Sequence, residues 1–222
     1  MINEILFFCH AVTLLGIIAY ATKHSLTMLT SCLAFNMVFA NFFVLKQIIL
    51  FGFTVTATDV FIVSITLGLG IMQKFYGEEA VRNAITINIF ASLVYLVCTT
   101  FHLAYQAAPI DYTHQHYQTL LEFMPRIMIA SLFVSWCTEQ FNRVLIRNFL
   151  KLFNPTAATI SASCIAQTVD TIAFSILGLY GIAHSIVDII QVSLIIKYTL
   201  LIISTPIIHC IYRFIKVPHA QV

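Results

Sequence analysis

Residues 156–180 read TAATISASCIAQTVDTIAFSILGLY, and this stretch decides the fold. A helical membrane span needs about 20 mostly apolar residues. The run has that length and carries a single charge, Asp170. Positions three and four apart share a helix face. Thr159, Ser163, Gln167, Asp170, Thr171 and Phe174 therefore form one stripe, with Ile165, Val169, Ile172 and Ile176 opposite. Such a helix is amphipathic within a membrane. Its stripe turns toward protein or water, and its other face toward lipid.

The whole chain has the same character. Of its 222 residues 60% are hydrophobic and 9% are charged, and the mean hydropathy is +0.94. Soluble domains carry roughly 25% charged residues, so this chain cannot cover itself with a water-facing surface. A backbone in lipid must satisfy its own hydrogen bonds, and strand signals are scarce, so the class is all-α. We expect one transmembrane domain over residues 1–222, a polytopic helical bundle. The net charge of +2 and the lack of a basic tract give no sign of nucleic-acid binding. The six cysteines fall singly in apolar runs, which reads as small buried residues rather than disulfides or metal ligands.

The apolar runs predict seven spans: Ile2 to Ala21, Leu26 to Leu45, Val60 to Phe75, Ala80 to Tyr105, Leu120 to Phe141, Ala157 to Tyr180 and Val192 to Phe214. The first resembles a signal peptide ending at Ala19-Tyr20-Ala21. Glu4 and the absence of an early lysine or arginine give its start the wrong sign, which favours an uncleaved span. In KQIILFGFTVTATD, 46–59, Gly52 among β-branched and aromatic residues predicts a turn or short hairpin. HSIVDIIQ, 184–191, predicts a short interfacial helix. With these spans, Lys23, Lys74, Arg82, Arg143, Arg147, Lys151, Arg213 and Lys216 fall on one side and Lys46 on the other. Basic residues favour the cytoplasm, so the N-terminus is expected outside and the C-terminus inside.

Other spans repeat the polar stripe. The fourth carries Asn88, Ser92, Tyr95, Thr99 and His102, and the fifth Glu122, Arg126, Ser131, Ser135 and Glu139. The seventh has Ser193, Lys197 and Ser204, and the second Asn36 and Asn41. A charge at the bilayer centre costs about 2.5–3.5 kcal/mol on insertion scales. Several on stripes imply a polar cavity or buried pairs, with Asp170–Lys197 and Glu122–Arg126 the natural partners. Two readings stay open: a substrate pathway, or helices tied together by polar contacts with no ligand. The loop motif DYTHQH has ligand-type residues in Asp111, His114 and His116, but no distant fourth ligand, so a solvated loop is expected there. No P-loop, nucleotide fingerprint, HExxH or nucleophile elbow is present, so the sequence calls for no cofactor, metal or enzyme activity.

The segment TATDVFIVSITLGLGIMQKFYGEEAVRNAI, 56–85, resembles the signature region of the queuosine precursor transporters, the YhhQ-type or vitamin uptake transporter family. The QKFYG turn, then Ala80 and Arg82, carries the likeness. Asn41, Lys46 and Gly52, Arg126-Ile127, the Gln167, Asp170 and Thr171 group, and Lys197 with Pro206 extend it over about residues 30–215. Lys74 stands where many members have Glu, so no carboxylate role transfers to that turn. The first span is extra relative to six-span members.

The resemblance implies a multi-pass plasma-membrane importer, in the inner membrane if the cell is Gram-negative. It implies a secondary transporter of 7-deazaguanine compounds such as queuine, for tRNA modification, with a small-molecule substrate and the lipid bilayer as its partners. It implies Asp170 as a bidentate acceptor for the base and Gln167 and Asn41 on the remaining edge. Phe174, Tyr95, Phe75 or Tyr76 would stack on the ring. Lys197 would hold Asp170 ionised or meet the carbonyl, and Arg126 is a further binding candidate. A binding subunit that needs a separate energising module, and a structural membrane protein, are the alternatives. The oligomeric state is left open, with a homodimer one option.

Overall fold

The computed structural model describes residues 2–44, 46–121, 124–179 and 186–215. The elements are α1 (Ile2–His24), α2 (Leu26–Phe42), β1 (Gln47–Leu50), β2 (Phe53–Thr56), α3 (Asp59–Ala104), α4 (His114–Leu121), α5 (Met124–Phe149), α6 (Pro155–Leu179) and α7 (Ile186–Phe214). This is the expected all-α bundle, with the hairpin expected around Gly52. β1 and β2 are antiparallel, with Leu50 paired to Phe53. Phe51 and Gly52, at φ of 51° and 84°, form the two-residue turn. Positive φ at both central positions matches the right-handed twist of a hairpin. Asn3 donates to the Ile49 carbonyl at 3.1 Å, and the Phe51 N–H donates to Glu4 at 3.0 Å. The hairpin therefore rests on the start of α1.

The third and fourth expected spans lie within α3. At 1.5 Å per residue its 46 residues would reach about 70 Å if straight, over twice the hydrocarbon thickness. Gly77 divides it, with φ 86° and ψ 175°. Glycine alone takes that conformation readily. Aromatic contacts show that the two arms run back on each other. Phe43 stacks on Phe61 at 6.1 Å, and Phe42 meets Tyr95 edge-on at 6.4 Å. Residues 61 and 95 thus both lie by the same end of α2, so the chain reverses between them. The 59–76 and 78–104 arms are two spans joined by one residue, shorter than the expected gap. Among the described residues α1, α3, α6 and α7 are long and apolar enough to cross a membrane, α4 with α5 would make a fifth, and α2 is a shorter apolar helix of 17 residues, so the seven expected spans are not all matched by length and composition.

Several boundaries differ from expectation; α5 runs on to Phe149, past the expected Phe141, and His114 and His116 lie in the helix α4 and not in a loop. Residues 186–191 form the first turns of α7, continuous with the span, and not a separate interfacial helix. α2 stops at Phe42, where the Phe43 N–H closes the last turn on the Phe39 carbonyl. His184, Ser185 and Glu122 lie outside the described residues, so the expected Glu122–Arg126 pair does too.

Packing is that of a membrane protein. Phe35, Phe90 and Phe133 are 64%, 67% and 61% exposed, while Asn36, Asn88, Ser92, Gln167 and Lys197 are buried. Apolar rings face outward because lipid suits them, and polar groups face inward because only protein partners them there. α1 is built into this core through Leu15, Ile18 and Ala21. All six cysteines are free but, contrary to expectation, none is buried: Cys9, Cys98 and Cys210 are exposed and the other three half-buried.

Candidate functional site

Three helices bring their polar stripes together. The first arm of α3 supplies Thr66, α5 supplies Ser135, Thr138, Glu139 and Asn142, and α6 supplies Gln167 and Asp170. With Ile62, Ile65 and Ala166 they line a small, partly open cleft. The enclosed space is about 20 Å³, room for about one water molecule and not for a heterocyclic base, so the helices must part to admit one. The helical spacing accounts for the lining. Ser135, Glu139 and Asn142 follow i, i+4, i+7 on α5, while Ala166, Gln167 and Asp170 share one side of α6.

Beside the cleft stands a buried charge cluster. Lys197 of α7 is 4% exposed. Its Nζ lies 3.2 Å from Asp170 Oδ2 and 3.9 Å from Asp59 Oδ1, and it donates to Thr171 Oγ1 at 2.9 Å. The Thr138 hydroxyl lies 3.2 Å from Asp170 Oδ1. Ser193 donates to the Asp59 carboxylate at 3.3 Å. One cation thus ties α3, α6 and α7 from inside the bundle. On the cleft wall Gln167 donates to Thr66 Oγ1 at 2.6 Å. Glu139 Oε2, Asn142 Oδ1 and Gln167 Oε1 are buried without a hydrogen-bond partner among the described residues. Buried polar atoms are almost always paired, so an orphan calls for an explanation.

A protein-family model described as "Putative vitamin uptake transporter" matches residues 47–211. The chain belongs to that family. It is a multi-pass transporter of the plasma membrane, with a small molecule as its cargo. A "Probable queuosine precursor transporter" of Bacillus subtilis (strain 168) is 24% identical over 181 residues, covering 78% of this chain and 79% of that one. No solved structure matches the chain.

In this vitamin-uptake-type transporter, Gln167 and Asp170 line the cleft, and Lys197 stands behind Asp170. Phe174 is one turn further along α6, half-buried, against Gly178. The other expected residues lie elsewhere. Asn41 donates to Ser92 at 3.1 Å and accepts from Ser131 at 3.4 Å, joining α2, α3 and α5 in a separate polar layer. Tyr95 sits by that layer, against Phe42. The Tyr76 hydroxyl donates to the Thr22 carbonyl at 2.8 Å, tying the Gly77 reversal to α1. Arg126 is exposed at the start of α5.

Glu139, Asn142, Thr66 and Asp59 were not singled out as site residues from the sequence. Glu139 continued a recognised stripe, and Asn142 extends it by three positions. Asp59 gave no signal, because an acid in the first turn of a helix is ordinary. In the loop motif, Asp111 Oδ1 accepts from the Thr113 N–H at 2.8 Å, the Thr113 hydroxyl at 2.6 Å and the His114 N–H at 3.2 Å. It caps the start of α4, and these bonds, the Thr113 hydroxyl first, hold its carboxyl below the usual carboxylate range. No group of metal-binding residues forms among the described residues.

Proposed function

We propose that this transporter imports queuosine precursors, 7-deazaguanine compounds such as queuine, for salvage into tRNA. The observation that carries the reading is the cleft between α3, α5 and α6, where three unpartnered side-chain atoms are all acceptors. A guanine-like base offers a ring N–H and an exocyclic amine side by side, which suits such a wall. The name of the Bacillus subtilis relative supports the same cargo. Transporter sites near the membrane midplane are built between spans in this way. In this reading the N-terminus faces outward and the C-terminus the cytoplasm.

Uptake of radiolabelled queuine by a host lacking its own importer tests the proposal. Saturable uptake that depends on this chain is expected. Absence of uptake of queuine and of simpler 7-deazaguanines, with the protein correctly inserted, would sink it. Uptake by the purified chain in liposomes is expected as well; a requirement for a second protein would make the chain a binding subunit.

A further inference from the structure

Two carboxylates face the cleft, and their surroundings differ. Asp170 Oδ2 is engaged by Lys197, and Oδ1 lies 3.2 Å from the Thr138 hydroxyl, whose one proton has the Val134 carbonyl closer at 2.9 Å. Glu139 is 8% exposed, and its Oε2 has no partner among the described residues. Asn142 Oδ1 and Gln167 Oε1 are in the same state, and the Gln167 amide nitrogen is already committed to Thr66. A ligand reaching Asp170 meets a carboxylate whose charge Lys197 already compensates from 3.2 Å. A ligand reaching Glu139 displaces no protein partner from Oε2 and relieves a buried acceptor that is otherwise unsatisfied.

Resting on the importer reading above, we propose that Glu139 is the substrate-reading carboxylate. It takes the adjacent ring N–H and exocyclic amine of a 2-amino-oxo heterocycle, and Asn142 and Gln167 accept from donors beside it. Asp170 is a positioning residue that fixes Lys197 and the α6–α7 contact. Specificity follows from the same arrangement. A site built around hydrogen-bond donors rejects an analogue that lacks them far more strongly than a site built on shape, here by about 100-fold or more.

The test is binding of 7-deazaguanine and of 7-deazahypoxanthine, which lacks the exocyclic amine, to the full chain in lipid nanodiscs. The parent is expected to prefer 7-deazaguanine by about 100-fold. Glu139→Gln is expected to bind 7-deazaguanine weakly and to lose the preference. Asp170→Asn is expected to keep the preference even where transport slows. A purely structural role for Glu139 would lower the amount of folded protein without moving the ratio. Glu139→Gln with an intact preference overturns the assignment, as does loss of the preference in Asp170→Asn alone. Should Glu139→Gln not fold, Glu139→Asp, which withdraws the carboxylate by one methylene, gives the same reading: a reduced preference supports the proposal and an unchanged one overturns it. A parent that binds neither base overturns the importer reading itself, whereas a parent that binds both equally leaves an importer and removes the role of Glu139.

Discussion

Lys197 shows how one residue can hold a membrane bundle together. It is buried between Asp170 and Asp59, so its removal leaves two carboxylates inside without a cation. Breaking a buried pair from one side costs about 3–5 kcal/mol in soluble proteins. Lys197→Ala should therefore lower the melting temperature in detergent sharply. Asp170→Asn should cost less, because Lys197 keeps Asp59 and Thr171. The triple change Lys197→Met, Asp59→Asn and Asp170→Asn should regain most of the loss, since no charge then remains unpaired. A triple variant as unstable as Lys197→Ala would mean that the cluster acts through packing and not through charge. Asp170 and Lys197 were legible in the sequence because a charge within an apolar run has no other explanation. Their third member was not, because only tertiary folding brings Asp59 beneath Lys197.

Among the elements, the reversal at Gly77 is the most specific feature. Nothing lies within 4 Å of a Cβ built there, so space is not the constraint. The backbone is, at φ 86°. Gly77→Ala should cost about 1–3 kcal/mol through strain alone. Gly16→Ala, in open space within α1, should be neutral or stabilising by about 0.5–1 kcal/mol. Melting of the two variants side by side separates backbone strain from crowding, and equal melting points would refute the strain account. Gly70 tests the other cause. A Cβ there would strike Thr159 Cγ2 across the α3–α6 contact. Gly70→Ala should destabilise, and adding Thr159→Ser should restore stability, since serine drops the methyl and keeps the hydroxyl that faces Tyr212. The QKFYG turn and the Gly52 hairpin were readable because glycine marks both. What the sequence hid was the economy of the turn: the expected four-residue gap is a single residue, because a glycine free of the usual φ limits reverses the chain without a loop.

At the scale of the whole molecule, the exposed rings and buried amides fix that this is a membrane bundle, and composition alone had said so. Which stripes meet was less legible. Periodicity gives each helix a polar face but no partner, so Asn41 and Gln167 looked alike, and packing sends them to different layers. Orientation is the remaining global property, and charge argues for it. The structure gathers part of the basic set at one end: Arg143 and Arg147 both pair with Glu78, at 2.7 and 3.3 Å, just past the Gly77 reversal. That fixes the C-terminal end of α5 and the start of the 78–104 arm at one side, and hence the loop after Ala104 at the other. Reporter cysteines at Gln106 and Lys151, both exposed, in a variant without the native cysteines, read the two sides. On intact cells a membrane-impermeant maleimide should label Gln106→Cys and spare Lys151→Cys, and permeabilised cells should label both. The reverse pattern would overturn the orientation while leaving the bundle intact, because helix packing is indifferent to which leaflet faces the cytoplasm and only the basic residues break that symmetry.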